Sequence, residues 1–547
     1  MAQLKANLLE TAKLRFAHHY LTRLQAAHQL YDLGGENLKR ALSTLERDMG
    51  QINEGQKWTA QHLHLSDAAR VCSDYATAGE KLLDLRWPPD VQLDWLHGAL
   101  EAARYLDNLE AESLHLRQLG DAFTRTGSYL EAKESYEAAY ALAEPADMLP
   151  ERAMIVNGWA QVLYLMGDYP AAQTRFDDAL HISQQVNAPA QAARALNGLG
   201  SINRMQGQLD VALSNHQQAL DHYTTLNDQL GIAETLIKLG ETSFTMADVR
   251  AAKDFQERAL QVYEAVRYDR GTATALGQLV HTLAEINETE HALKLGERAL
   301  AIWHRLGEPR EEAITLMGLG EVARRVGDYA SARQYYEDSL ALAESIGDQM
   351  GTAIMLASLG GLTMTMQDFD AAISYYLRAK SLFELLEDVS SVTMCEAELG
   401  NIYNRQGKPA DAKPHYAHAV EVCRQIGEQR GLVISLAGLG RSHTQLGEFD
   451  AARANFQAAY AVARELAIQD LTLVVVLGVA LWLHHAKGKT TDGLHLLGMA
   501  VHADENSAMI RRGVDKVIER MQIDWSPAEI ETVMLQGKSL DMYDITF

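Results

Sequence analysis

The chain has 547 residues, with 49 Lys and Arg against 73 Asp and Glu, for a formal net charge of -24. So acidic a surface repels phosphate backbones, which argues against direct nucleic-acid binding. Its three cysteines, Cys72, Cys395 and Cys423, lie far apart with neither metal nor redox spacing, so they are expected to be buried small thiols.

The N-terminus, Met1-Ala2-Gln3-Leu4-Lys5, has no signal-peptide apolar core, and a cytoplasmic location is expected. Residues 1–60 read as a helical linker or cap. Residues 61–107 read as a degenerate helical repeat, clearest from residue 80, with Ala99 on the alanine register of the later repeats and Trp87-Pro88-Pro89 breaking its first helix.

From 108 to 490 a forty-residue ruler governs the chain. A Leu-Gly pair marks it at Leu119-Gly120, Leu199-Gly200, Leu239-Gly240, Leu319-Gly320, Leu359-Gly360, Leu399-Gly400 and Leu439-Gly440. A fixed period of this length signals stacked repeats. Seven residues after the marker glycine comes a second glycine, as at Gly127, Gly167, Gly207 and Gly327. Twelve after it stands alanine, from Ala132 to Ala452, and sixteen after it often a ring, as at Tyr136, Phe176, Tyr336 and Tyr416. Small residues belong where helix backbones approach, and rings fill the space between. The second glycine ends one helix in the left-handed conformation. Ser128, Asp168, Asp248, Asp328 and Asp368 come directly after that slot as N-caps of the next helix. Asn187, Asn227, Gly307, Gly347 and Gly427 mark a second stop.

These combined positions resemble the tetratricopeptide repeat, in the longer-helix version found in kinesin light chains, spindle-orientation adaptors and bacterial regulators. The resemblance implies an all-α, right-handed superhelical solenoid of antiparallel helix pairs. It also implies a concave groove lined by the first helix of each repeat, at three residues before the marker glycine and one and four after it. Those positions hold Asn157, Asn197, Arg204, Glu241, His281, Glu321, Arg324, Asn401, Asn404 and Arg441, with Arg194 and Glu234 one turn earlier on the same face. Asn suits clamping a peptide backbone, since it both donates and accepts, and Arg suits gripping a carboxylate. Between 314 and 394 the corresponding residues are Ile314, Met317, Ile354, Ala357, Met364 and Met394. These suit either an adaptable apolar binding surface or packing against neighbouring helices.

The stretch Leu471–Leu483 is nearly all apolar. It is too short to span a bilayer and lies on the repeat register, so a buried core helix is expected and no membrane partner. Residues 491–547 form a helical cap and tail: an apolar helix at Leu494–Ala503, a more polar one at Ser507–Met521, and a third begun by the N-cap Ser526 and Pro527. Leu496-Leu497-Gly498-Met499-Ala500 and Gly537-Lys538-Ser539-Leu540 resemble the C-terminal tail of bacterial STAND ATPase regulators, often of LuxR type. Phe16-Ala17-His18-His19-Tyr20-Leu21, Ala41-Leu42 to Leu45-Glu46, and Asn53 to Trp58 resemble the linker of the same proteins. This implies a sensor arm. Their nucleotide-binding module has no counterpart here. Gly488-Lys489-Thr490 matches only the end of a phosphate-binding loop, comes after a helix instead of opening one, and has Leu483 where the first glycine belongs.

The sequence holds no HExxH, GxSxG or CxxC motif. His18-His19 and His484-His485 are adjacent on helices and do not face one another, and His62 and His64 are similarly poor joint ligands. The expectation is a non-enzymatic interaction module without cofactor or metal. A peptide, protein segment or small effector would occupy the groove. The alternative is a solenoid that assembles with itself as a homo-oligomer.

Overall fold

The computed structural model describes residues 2–33, 36–82, 87, 89–466, 468–503, 508–537 and 540. Helices and short turns account for them, and no strand occurs among the described residues. They form two compact units, Met1–Val322 and Ala323–Phe547.

In the first unit, helices Ala2–Asp32 and Glu36–Ala60 pair as a hairpin. Helices Ser66–Gly79 and Pro89–Tyr105 pack beside it around buried Leu24, Leu45, Tyr75, Trp87 and Trp95. Tyr75 donates to the Ala17 carbonyl at 2.7 Å, and Trp95 donates to Asn53 Oδ1 at 2.8 Å. Pro89 sits at a helix start, where its missing N–H costs nothing. The expected break before it falls on residues 83–86, which lie outside the described residues. Pro88 lies outside the described residues.

From Leu109 onward helices of mostly 17 residues alternate with tight turns, as in Pro189–Met205, Leu209–Thr225, Gln229–Thr245 and Val249–Ala265. The packing accounts for the repeat's signature. A Cβ on Gly120 would come within 2.8 Å of the Tyr136 ring, and one on Gly400 equally close to Tyr416. The ring sixteen residues on therefore lies against bare backbone. The alanines of the twelfth position, Ala132, Ala172, Ala212 and Ala252 among them, are wholly buried.

The turns are set by the fold more than by glycine. Gly127, Gly167 and Gly207 are left-handed, but so are Ala247, Asn287 and Gln367 in the same slot, with φ of 62, 60 and 65°. The second turn holds Asn187 and Asn227 in that region, and also Asp107, Asp147, Arg267 and Glu387. Asp168, Asp248, Asp328 and Asp368 accept a backbone N–H three residues on, whereas Ser128 occupies its cap position without a side-chain bond. Asp228, Asp348 and Asp388 cap first helices in the same way, which the second-turn pattern had not suggested.

The second unit continues the pattern to Gln469–Lys487, a helix long and apolar enough by composition to cross a membrane. Here Leu471, Leu473, Val475, Val476, Val479 and Trp482 are buried in its core. Gly488, left-handed, ends this helix, and the next begins at Thr490, so the Gly-Lys-Thr tripeptide is a helix-to-helix turn. Helices Thr490–Ala503, Ala508–Met521 and Pro527–Gln536 close the unit. The last opens with a capping box between Ser526 and Glu529. Ser507, Lys538, Ser539 and the tail 541–547 lie outside the described residues. All three cysteines are buried free thiols, which burial pushes up to about 12 at Cys72 and Cys395 and about 11 at Cys423.

Candidate functional site

Within the first unit, the first helices of neighbouring repeats approach each other more closely than the second helices do. Curvature therefore places the first helices on the inner side. Each leaves one narrow stripe accessible. In Gln229–Thr245 that stripe is Glu234, Lys238, Glu241 and Thr245, spaced as one helix face requires.

The sequence-predicted groove residues divide by burial. Arg194, Glu234 and His281 are exposed, and Arg204, Glu241, Glu321, Arg324, Asn401 and Arg441 are half-buried. Asn157, Asn197 and Asn404 are buried, and their amides join neighbouring repeats. Asn157 donates to the Gln191 carbonyl at 3.0 Å and to Gln191 Oε1 at 3.1 Å, while its own Oδ1 is buried without a partner. Asn197 donates to Thr235 Oγ1 at 2.8 Å. In the second unit Asn404 and Ser442 exchange hydrogen bonds at 3.0 and 3.1 Å. Backbone clamping by these three amides is thus replaced by repeat-to-repeat locking.

The centre of the accessible stripe is Glu241. It receives Arg204 at 3.3 Å from the repeat before, Lys238 at 3.5 Å from its own helix, and Gln278 at 3.4 Å from the repeat after. Attraction by Glu241, against the cost of burial, raises the Lys238 ammonium above its ordinary range. Arg204 Nε is buried and unpaired. One repeat earlier, Arg194 keeps an accessible edge although protein walls it in. Burial disfavours its charge, but Asp121, Tyr136 and Glu234 more than offset that cost. The position two before the marker glycine, which supplies Lys238 and Gln278, does not stand out in the sequence because glycine occupies it in other repeats.

At the head of the stripe Arg117 is buried among three carboxylates. It bonds Glu151 at 2.6 Å and Asp121 at 3.0 Å, and it also pairs with Glu80. Asp121 in turn accepts from Tyr136 at 2.6 Å. Further along the same unit Ile314 is exposed and Met317 half-buried.

In the second unit the stripe of Val389–Arg405 carries Met394, Glu398, Asn401 and Arg405. Asn401 Oδ1 accepts from Tyr416 at 2.5 Å and from Arg441 at 3.3 Å, and its Nδ2 donates to Glu398 at 3.4 Å. Ile354 and Met394 are exposed, whereas Ala357 and Met364 are half-buried.

Elsewhere in the first unit a cavity of about 910 Å³ lies between the N-terminal helices, at Glu46 and Trp87, and the repeats around 264–308. Of the arginines that line it, Arg298 pairs with Glu264, Arg305 with Asp269 and Arg270 with Glu308. Among the described residues no three His, Cys, Asp or Glu side chains gather as a metal site.

Paired helices stacked at a constant period, with one accessible stripe on each inner helix, define an α-solenoid. The chain belongs to the tetratricopeptide repeat family, whose sequence model matches residues 151–225, 231–304, 311–384 and 393–465. That fold is typically a non-catalytic protein-interaction scaffold. Among solved structures the chain is similar to a Rap protein complexed with competence and sporulation factor, at 14% identity, over 61% of this chain and 97% of that one, with a TM-score of 0.44. It is also similar to aspartyl phosphate phosphatase F from Bacillus subtilis, at 14% identity, over 64% and 93%, with a TM-score of 0.42. BtubC from P. vanneervenii is similar at 17% identity, over 41% and 91%, with a TM-score of 0.35. No curated protein matches the sequence.

Proposed function

We propose that the chain binds a peptide or protein segment along the inner face of its first unit, as the sensor arm of a signalling regulator. The observation that carries this reading is the ladder centred on Glu241, in which charged side chains of two successive repeats and the Gln278 amide of a third meet on the one accessible stripe. Fixed charges of alternating sign, Arg194, Glu234, Lys238 and Glu241, present a pattern that a ligand of complementary charge and amide groups can match. The exposed Ile314 extends the same face with apolar surface. Membership of an interaction-scaffold family supports the reading, and the STAND-like ends of the sequence motivate the regulator role.

The test is a pull-down from native lysate with the full chain and a charge-reversed R194E/E234R variant, read by mass spectrometry. Both side chains keep an accessible edge and the swap preserves the opposite signs of the pair, so the variant's helical circular dichroism is expected to match the wild type and is checked first. A partner retained by the wild type and lost by the variant is the expected result. Identical captured sets would reject this face as the binding surface, and a wild-type pull-down dominated by the chain itself would favour self-assembly.

A further inference from the structure

Leu42, on the N-terminal helix Glu36–Ala60, and Val266, at the end of a repeat, bury one another, with Tyr31 and Tyr268 packed around them. Val266 is 6% exposed, whereas Leu226, forty residues earlier in the same slot, is 42% exposed. The N-terminal helices therefore cover the edge of the repeats here. Beside this contact they leave the cavity of about 910 Å³, with Glu46 and Trp87 on one wall and residues 264–308 on the other. That volume falls within the range of small-ligand sites.

Among the described residues four arginines and four carboxylates line the cavity. A ligand of one charge sign meets as much repulsion there as attraction. Two of the ion pairs, Arg298 with Glu264 and Arg305 with Asp269, are open to solvent on both sides. Such pairs contribute little to stability, so a ligand can separate them at small cost. Ile302 and Leu306 add apolar lining. Trp87 is 4% exposed, and its indole Nε1–H is buried without a hydrogen-bond acceptor. A buried donor left unpaired is costly, and a carbonyl entering the cavity supplies what it lacks.

We propose that this cavity binds a small amphoteric effector, a short peptide with both termini free and apolar side chains, which bridges the N-terminal helices and the repeats. Its carboxylate takes a guanidinium and its ammonium a carboxylate from the two solvent-open pairs, its amide carbonyl accepts from Trp87, and its side chains lie on Ile302 and Leu306. The site is separate from the ladder around Glu241, so either reading can fail alone.

The experiment titrates the full chain with the dipeptide leucyl-leucine at constant ionic strength. Hydrogen exchange of residues 36–52 and 296–308, one segment from each wall, is the readout. At ten times the dissociation constant, exchange in both segments is expected to slow by about tenfold, because opening must release the ligand. Blocking either terminus, as in acetyl-leucyl-leucine or leucyl-leucine amide, is expected to weaken binding by about tenfold. Trp87→Phe is expected to weaken it by about fivefold. The R298Q/R305Q variant, altered only in the solvent-open pairs, is expected to keep the wild-type melting temperature and lose the response. R194E/E234R, altered on the inner face, is expected to respond as the wild type does. Unchanged exchange on both walls up to the solubility limit of the dipeptide would overturn the proposal. Equal binding of the blocked forms, or an unchanged response in R298Q/R305Q, would do the same.

Discussion

His216 donates from Nδ1 to Asn197 Oδ1 at 3.1 Å, and Asn197 hands its own amide on to Thr235 in the next repeat. His216 stands sixteen residues after the marker glycine, where other repeats carry Tyr or Phe. Its Nε2 is buried without a partner. The imidazole is therefore neutral, and burial, with Lys238 and Arg204 nearby, pushes it down to about 3.

This fixes the sign of a pH dependence. An unfolded histidine takes up a proton below about 6.5 while the folded one does so only near 3. The stability contribution is full above 6.5 and is lost as pH falls from there toward 3, with a slope of up to about 1.4 kcal/mol per pH unit. Urea unfolding between pH 4 and 7 measures it. His216→Phe is expected to remove one proton from the slope. An unchanged slope would show that other groups carry the acid sensitivity.

The inner side chains separate by role. Asn197→Ala leaves both His216 and Thr235 short of a buried partner, and is expected to cost about 1–3 kcal/mol of stability. Arg194 and Glu234, accessible but within reach of each other's charge, are expected to change stability by about 1 kcal/mol or less when substituted singly. Denaturation midpoints of the three single variants distinguish the two classes. Equal losses in all three would mean that the accessible stripe is as structural as the buried one.

The repeat was legible in the sequence because its cause is local, whereas its turns were legible only where Gly or Asn marks them. A glycine beneath a ring, or an alanine at a helix crossing, recurs at every copy, and forty residues bring it back to the same environment. The inner face was legible only in outline. Asn157, Asn197 and Asn404 sit on the register of groove residues, but the next repeat comes close enough to take their amides, and spacing along one helix does not reveal that distance. Lys238 and Glu398 escaped because their position holds glycine elsewhere. The cavity beside Trp87 is beyond periodicity altogether, since it forms where the N-terminal helices meet repeats they do not copy.

Arg117 offers a sharper test of buried charge. Its side chain is 3% exposed and faces Glu80, Asp121 and Glu151. Replacing it with Met leaves three carboxylates without their cation, and is expected to cost about 3–5 kcal/mol. Burial disfavours the Arg117 charge, and the three carboxylates more than restore it, so the pair network is intact at neutral pH. Thermal unfolding of Arg117→Met at pH 7 and pH 5 checks this. The deficit is expected to shrink at the lower pH, where burial already brings Glu151 toward its neutral form. A deficit that does not change would place the loss in packing.

The left-handed turns supply the last prediction. Ala247 holds φ of 62° in the slot that Gly127, Gly167 and Gly207 fill elsewhere. A side chain in that region costs about 1–2 kcal/mol, because its Cβ crowds the next carbonyl. Glycine removes that strain but loses more backbone entropy on folding, about 0.5–1 kcal/mol. The difference favours Ala247→Gly by about 0.5–1 kcal/mol, and the reverse change, Gly167→Ala, is expected to destabilise by a similar amount. A Cβ at Gly167 meets nothing within 4 Å, so backbone conformation alone is at issue there. Differential scanning calorimetry of both variants is the check. If both lower the melting temperature, the turn at 247 is held by its neighbours in a way that the alanine already satisfies, and the strain assigned to it is absent.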